Sequence, residues 1–314
     1  MRLTFINTLI KLARHDKNIW LITGDLGYGM IEPFVKEFPD RFLNAGVAEQ
    51  NMVGIAAGMA LTGKKVFVYS ISTFATMRPY EQIRNDICYH GLPVFIVGGG
   101  SAFSYSLLGC THQPIEDIGI MSILPNMAVL SPGDPIEVEA LVAAVYKRAG
   151  PAYIRLARKG EPKVHKKLDE VKLGKMSVMK NGKDATIIVT GRLLPDAILA
   201  SEILYNNDSL SVRVLSAHTL KPIDEEAIIS SAKETGAIIT CEEHLLFGGL
   251  SSSISSILVK NNIVRPVISL GIPDEFPKGV GWQKHFLERY KLTPEGIADA
   301  VRKCLEIKNV KSAK

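Results

Sequence analysis

The sequence predicts an α/β protein built from two doubly wound, mostly parallel-sheet domains. Two observations carry that expectation. Short apolar runs alternate with helix-period segments, the pattern of a parallel sheet covered on both faces. The alternation breaks once, at a Lys-rich stretch, and then restarts. At 314 residues the chain has room for two ordinary domains. Its 46% hydrophobic and 22% charged residues suit real buried cores. The expected division is a first domain over 1–158, a linker over 159–183 and a smaller second domain over 184–314.

The elements follow in order. Leu3, Ile6, Leu9, Ile10, Leu12 and Ala13 repeat at helical spacing, so the chain opens on an amphipathic helix. The run NIWLIT (18–23) reads as a strand that ends in a polar turn at Gly24–Asp25. An extended piece over 41–44 turns into a helix over 49–61, and further helices are expected over 31–37 and 80–90. Strand-like runs recur at 66–69, 93–97, 127–130 and 152–156. In the second unit, strands are expected at 185–190, 212–215, 237–241 and 267–270, with helices near 194–204, 225–233, 250–260 and 294–307. Asp224, after Pro222, is a candidate N-cap.

Composition excludes several function classes. The net charge is +5, and the stretch 159–183 alone holds eight Lys against three acids. Those cations are not interleaved with aromatics, so they read as a solvated segment and not a nucleic-acid surface. Cys88, Cys110, Cys241 and Cys304 lie far apart without metal-ligand or CxxC spacing, which suits a reducing cytosol. The first residues, MRLTFINTLIKLARHDK, lack the apolar core and cleavage site of a signal peptide. No stretch reaches the length of a membrane span. A cytoplasmic protein, without membrane or nucleic-acid partners, is expected.

Ligands of parallel sheets lie at the carboxyl ends of strands. Gly24–Asp25, Ser70–Phe74, Gly98–Gly100 and Arg155–Arg158 all fall at such ends. Glu49 stands in the first turn of a helix made largely of small and apolar residues. An acid there favours the helix N-terminus, and for a lone Glu that alone would suffice. Met77 and Tyr80 follow Phe74 at steps of three, either as core or as a platform for a flat ring. Three successive glycines, Gly98–Gly100, imply close backbone approach. His112 is either a helix-start histidine satisfied by Glu116 and Asp117 or an exposed acid/base. Arg155 and Arg158 suit a phosphate or carboxylate, or surface ion pairs. The group Cys241–Glu242–Glu243–His244 offers too few ligands for a closed zinc site and reads as a structural corner.

GVAEQNMVGIAAGMALTG, then STF before a helix, then the glycine-rich loop ending in THQP, then YIRLAR resemble the pyrimidine-binding domain of transketolases. EEHLLFGGL and DEFPKGVG resemble the transketolase C-terminal domain. The resemblance covers essentially the whole chain and implies thiamine diphosphate as cofactor. By it, Glu49 matches the glutamate that hydrogen-bonds the aminopyrimidine and favours the imino tautomer that deprotonates the thiazolium C2. Phe74 matches the aromatic stacked on the pyrimidine, and Met77 and Tyr80 match two further residues lining that pocket. His112 matches the histidine on the donor sugar's oxygens. Arg158 and, at the chain's start, Arg2 match phosphate-binding arginines.

The same resemblance implies a missing half. Gly24–Asp25–Leu26 with Asn51 is only superficially similar to the family's magnesium-diphosphate motif, so no metal site is assigned and Asp25 reads as a turn or interface residue. Mg2+ and the diphosphate are therefore expected on a separate N-terminal transketolase subunit, in an α2β2 assembly. The implied reaction moves a two-carbon ketol unit from a ketose to an aldose. The alternatives are the beta subunit of a 2-oxo-acid dehydrogenase, which STF and THQP disfavour, and a non-catalytic scaffold of the same fold. Three positions depart from the pentose-pathway pattern: Gly100 for a histidine, Leu108 for an aspartate and Gly29 for a serine. All three belong to substrate recognition.

Overall fold

The computed structural model describes residues 1–158 and 160–312, with side chains through 309. Lys159, the first residue of the expected linker, and residues 313–314 of the expected second domain lie outside them. The first sheet contains β1 (Ile19–Thr23), β2 (Phe42–Asn44), β3 (Lys65–Ile71), β4 (Val94–Gly99), β5 (Ala128–Leu130) and β6 (Ala152–Leu156), all parallel. The second contains β7 (Ser177–Lys180), β8 (Ala185–Val189), β9 (Val212–Ser216), β11 (Ile238–Leu245) and β12 (Val267–Ile272). The short β10 (Thr219–Lys221) leaves that second unit and pairs antiparallel with β5, closing the order β10-β5-β6-β4-β3-β1-β2. The second sheet runs β12-β11-β8-β9-β7, with β7 antiparallel. This is the expected pair of mostly parallel α/β layers.

Central strands are buried along nearly their whole length, which explains their unbroken apolar runs. Register then fixes where the strands end. Thr23 pairs with Tyr69, Ser70 with Gly98, and Gly99 with Leu156. The residues just beyond, from Gly24, Ser72, Gly100 and Ala157 onward, therefore emerge along one edge. The four strand ends read from the sequence thus lie on one edge, as their common position at carboxyl ends implies.

Several elements differ from expectation. The helix expected over 80–90 is one α-turn (Tyr80–Gln82) followed by a π-turn (Ile83–Cys88), in which the Tyr89 amide reaches back five residues to the Arg84 carbonyl. The segment expected as linker carries β7, which pairs with β9. Helix Pro135–Lys147 is absent from the expected elements, although Asp134–Pro135 is a start signal: the Asp134 side chain accepts from the Glu137 amide at 2.8 Å, and Pro stands at the first position. Asp224 caps helix Glu225–Glu234 as expected.

The two units are joined by buried polar groups. Arg155 Nε lies 2.9 Å from Asp117 Oδ2, and Arg155 Nη2 donates to the carbonyls of Pro114 (2.6 Å) and Glu243 (2.9 Å). Arg155 is thus neither a phosphate ligand nor a surface ion pair. Glu242 accepts the Leu250 and Ser251 amides that open helix Leu250–Lys260, at 2.7 and 2.8 Å. The Gly119 amide donates to His244 Nε2 at 3.1 Å. The Glu-Glu-His group therefore has the structural part expected of it, with burial pushing the Glu242 carboxyl up to about 8. Removing one partner of a buried pair strands the other charge, at a cost of about 3–5 kcal/mol. Arg155→Ala is expected to lower unfolding stability by that order, read from urea midpoints; a loss below about 1 kcal/mol would remove the pair from this account.

Candidate active site

Helix Glu49–Leu61 has no side-chain N-cap, and Glu49 is the acid of its first turn. Glu49 is only 2% exposed. Its Oε1 accepts from Ser70 Oγ at 3.2 Å, at the end of β3, and its Oε2 pairs with Arg78 Nη1 at 2.9 Å. Gly24, just after β1, lies against the carboxylate: a Cβ there would be 3.4 Å from Glu49 Oε1, about van der Waals contact. The carboxylate thus lies between the ends of β1 and β3, and its tertiary partners add to its place at the helix start.

Phe74 belongs to the short helix Ser72–Thr76 that follows β3. The Arg78 guanidinium lies 3.9 Å from its ring centroid. His112 meets the same ring edge-on, with centroids 5.0 Å apart at 72°. The imidazole Nδ1 is 2.9 Å from Thr111 Oγ1. Glu116 and Asp117 are occupied elsewhere, on the Ile115 amide and on Arg155 and Tyr153, so they do not satisfy His112. Glu49, Phe74 and His112 therefore come together, with Arg78 between the first two. Met77 is half-buried at the helix's C-cap. Tyr80 packs against the core and donates to the Ile120 carbonyl at 2.9 Å.

A second cluster lies along the same rim. Arg2 Nε donates to the Arg158 carbonyl at 2.8 Å and Arg2 Nη1 to the Tyr105 hydroxyl at 3.1 Å. The Arg158 guanidinium is 5.1 Å from the Tyr105 ring centroid. What approaches the three glycines is the chain's own side chains: a Cβ on Gly98 would lie 2.6 Å from Ser72 Oγ, one on Gly99 would strike Tyr69, and one on Gly100 would strike Tyr105. Gly100 also has φ +92°, a region that disfavours any side chain. The departure at Gly100 is therefore built into backbone and neighbour alike. Leu108 is 57% exposed on the adjoining loop. Gly29, with φ +75°, donates its amide to Glu32 Oε1 at 2.7 Å.

Asp25, at φ +56°, is tied to its turn: its carboxylate accepts from Asn44 Nδ2 at 2.9 Å and Tyr28 Oη at 2.6 Å. No group of three or more His, Cys, Asp or Glu side chains among the described residues could hold a metal ion. No helix among them is long and apolar enough to cross a membrane. Sequence reasoning missed Arg78 and Tyr105, and named Ser70 only as the start of a strand-end stretch. Arg78 had one available signal, its spacing of four from Phe74, which places the two on one side of a helical turn.

Burial, and then the Arg78 charge, lower the His112 pKa below the ordinary imidazole value. His112 is accordingly neutral at pH 7 and able both to accept and to donate. An NMR titration is expected to place its midpoint below that of an exposed histidine, and Arg78→Gln should move it upward. A midpoint at or above the ordinary value would contradict the geometry.

Comparison with known proteins fits this arrangement. Residues 1–162 match the transketolase pyrimidine-binding domain, and residues 174–297 the transketolase C-terminal domain. The chain is 36% identical to the 6-deoxy-6-sulfo-D-fructose transketolase subunit of Clostridium sp. (strain MSTE9), over 98% of this chain and 95% of that one. It is 38% identical to an apulose-4-phosphate transketolase subunit of Phocaeicola vulgatus, over 94% of each. A solved structure described as a split gene transketolase, inactive β4 tetramer, superposes with a TM-score of 0.90 at 37% identity, covering 98% of both chains. The chain belongs to the transketolase family and is similar from end to end to the subunits of its split members.

Proposed function

We propose that the chain is the pyrimidine-holding subunit of a thiamine-diphosphate transketolase-type enzyme that transfers a two-carbon ketol unit from a ketose to an aldose. The observation that carries this reading is the buried Glu49 carboxylate facing the rim beside the Phe74 ring. Such a pair fits a flat nitrogen heterocycle: one face to stack on, one acid to meet a ring nitrogen. When bound, thiamine diphosphate would supply an acidic ring carbon able to act as a nucleophile toward a carbonyl. Glu49, removed from solvent, would share a proton with the ring nitrogen. Phe74 fixes the ring plane, with Met77 and Tyr80 assigned as further walls. Neutral His112 binds a donor-sugar oxygen and moves a proton there, while Arg158 and Arg2 hold the sugar's anionic end.

The diphosphate and Mg2+ are assigned to a separate N-terminal transketolase subunit. Asp25 is taken up by its turn, and the relatives of equal length are themselves called subunits. The β4 relative described as inactive supports both self-association and silence without a partner. An assembly with two copies of each subunit agrees with the bare face of helix Glu49–Leu61. Cβ atoms on Gly54 and Gly58 would meet nothing within 4 Å, and Val47 and Leu61 are 72% and 68% exposed beside them.

With the partner supplied, Glu49→Ala is expected to slow exchange of the cofactor's C2 proton about 10²–10⁴-fold while the fold melts normally. Unchanged exchange would mean that another group activates the cofactor. Light scattering on the same preparation should give two copies of each subunit, and an active one-to-one pair would contradict the assembly.

Substrate preference should depart from that of the ordinary pentose-pathway enzyme. Leu108 offers no hydrogen bond to a sugar hydroxyl, and Gly100 leaves no room for a histidine beside Tyr105. A lost charge-assisted contact is worth about 1.5–3 kcal/mol, roughly ten- to a hundredfold in affinity. A less usual sugar, deoxygenated, branched or nucleotide-linked, is the expected acceptor; the 6-deoxy-6-sulfo-D-fructose in one relative's name is a ketose, so it is an unusual sugar of the donor kind. Specificity constants for xylulose 5-phosphate with ribose 5-phosphate, set against a panel of such sugars, decide this. A tenfold or greater advantage for the standard pair would make these departures neutral.

A further inference from the structure

The Arg78 guanidinium makes both contacts that the proposed function assigns to an aminopyrimidine. Its carbon is 3.9 Å from the Phe74 centroid, and its Nη1 donates to Glu49 Oε2 at 2.9 Å. The chemical likeness is close. A guanidinium and a protonated or imino aminopyrimidine are both flat, delocalised and edged with N–H donors. Two planar groups cannot occupy one ring face and one carboxylate oxygen together. Arg78 can also leave, because its side chain is 45% exposed.

We propose that Arg78 is a placeholder for the aminopyrimidine, stacking on Phe74 and pairing with Glu49 until the cofactor displaces it. The proposal rests on the cofactor reading above and adds a competition within the chain. While Arg78 is in place, the buried carboxylate keeps an ionic partner and does not stand alone in a dry pocket. The same contacts lower apparent cofactor affinity by the fraction of molecules in which Arg78 has swung out. Its side chain is therefore a positioning residue, which holds Glu49 and Phe74 in register without itself taking part in proton transfer.

Two measurements test this. In arginine side-chain NMR of the full chain, the Arg78 signals, assigned by their loss in Arg78→Lys, should be shifted by the Phe74 ring current. Phe74→Leu should abolish that shift. In calorimetry of the chain reconstituted with its partner, thiamine diphosphate with Mg2+ should bind Arg78→Ala roughly three- to thirtyfold more tightly than wild type, the range set by a partly exposed stacked cation. Arg78→Lys, which keeps a charge but loses the planar stack, should gain less, and it serves if the alanine variant fails to fold. Arg78 signals that ignore Phe74→Leu, or variants that bind the cofactor no more tightly than wild type, overturn the placeholder alone. A wild-type complex that does not bind thiamine diphosphate sinks the cofactor reading and this proposal with it.

Discussion

A carboxylate buried at a seam of strand ends constrains everything around it. Glu49 is removed from water, so its charge must be met by protein groups, and the fold supplies them from a different element. Ser70 comes from the end of β3 and Arg78 from the turn beyond the next helix. Those partners can reach it only because β1 and β3 run parallel and in register, delivering Gly24 and Ser70 to the same rim. Loss of that register by one residue would turn the Ser70 side chain to the other face of the sheet.

The second unit serves this rim from behind. Its β10 extends the first sheet, and its Glu-Glu-His corner closes on Arg155 and on the segment between His112 and β5. The loop that carries His112 is therefore held at its far end by buried contacts, while the imidazole itself remains at the rim. The arrangement separates a rigid support from a site that has to admit and release a ligand. Phe103 stacked on Phe286 at 5.0 Å and Ser106 bonded to the Gly281 carbonyl at 2.7 Å tie the near end of the same loop to the second unit.

Much of this was legible in the sequence, for physical reasons. Long apolar runs and helix-period segments report burial directly, and the helix over 49–61 appears with its expected bounds. Glu49, Phe74 and His112 each had an ordinary local reading, and only the resemblance to transketolases singled them out. Elements governed by tertiary context were not legible. Strands β7 and β10 are three or four residues long and owe their state to neighbours from other parts of the chain. The π-turn over 83–88 has an ordinary helical pattern, and nothing local announces the five-residue bonding. Arg78 had no place in the sequence reading, and only the distances to Glu49 and Phe74 give it one. The glycines at 98–100 announced a close approach but not its source, the chain's own tyrosines and Ser72.

The central claim is that Glu49 and Phe74 form the pyrimidine half of a thiamine-diphosphate site completed by another subunit. A crystal structure of this chain with its partner, thiamine diphosphate and Mg2+ tests it most directly. The account predicts the aminopyrimidine stacked on the Phe74 ring, a ring nitrogen within hydrogen-bond distance of Glu49, and the diphosphate and metal on the partner. A cofactor whose pyrimidine lies away from Glu49, or whose metal is held by this chain, would contradict it.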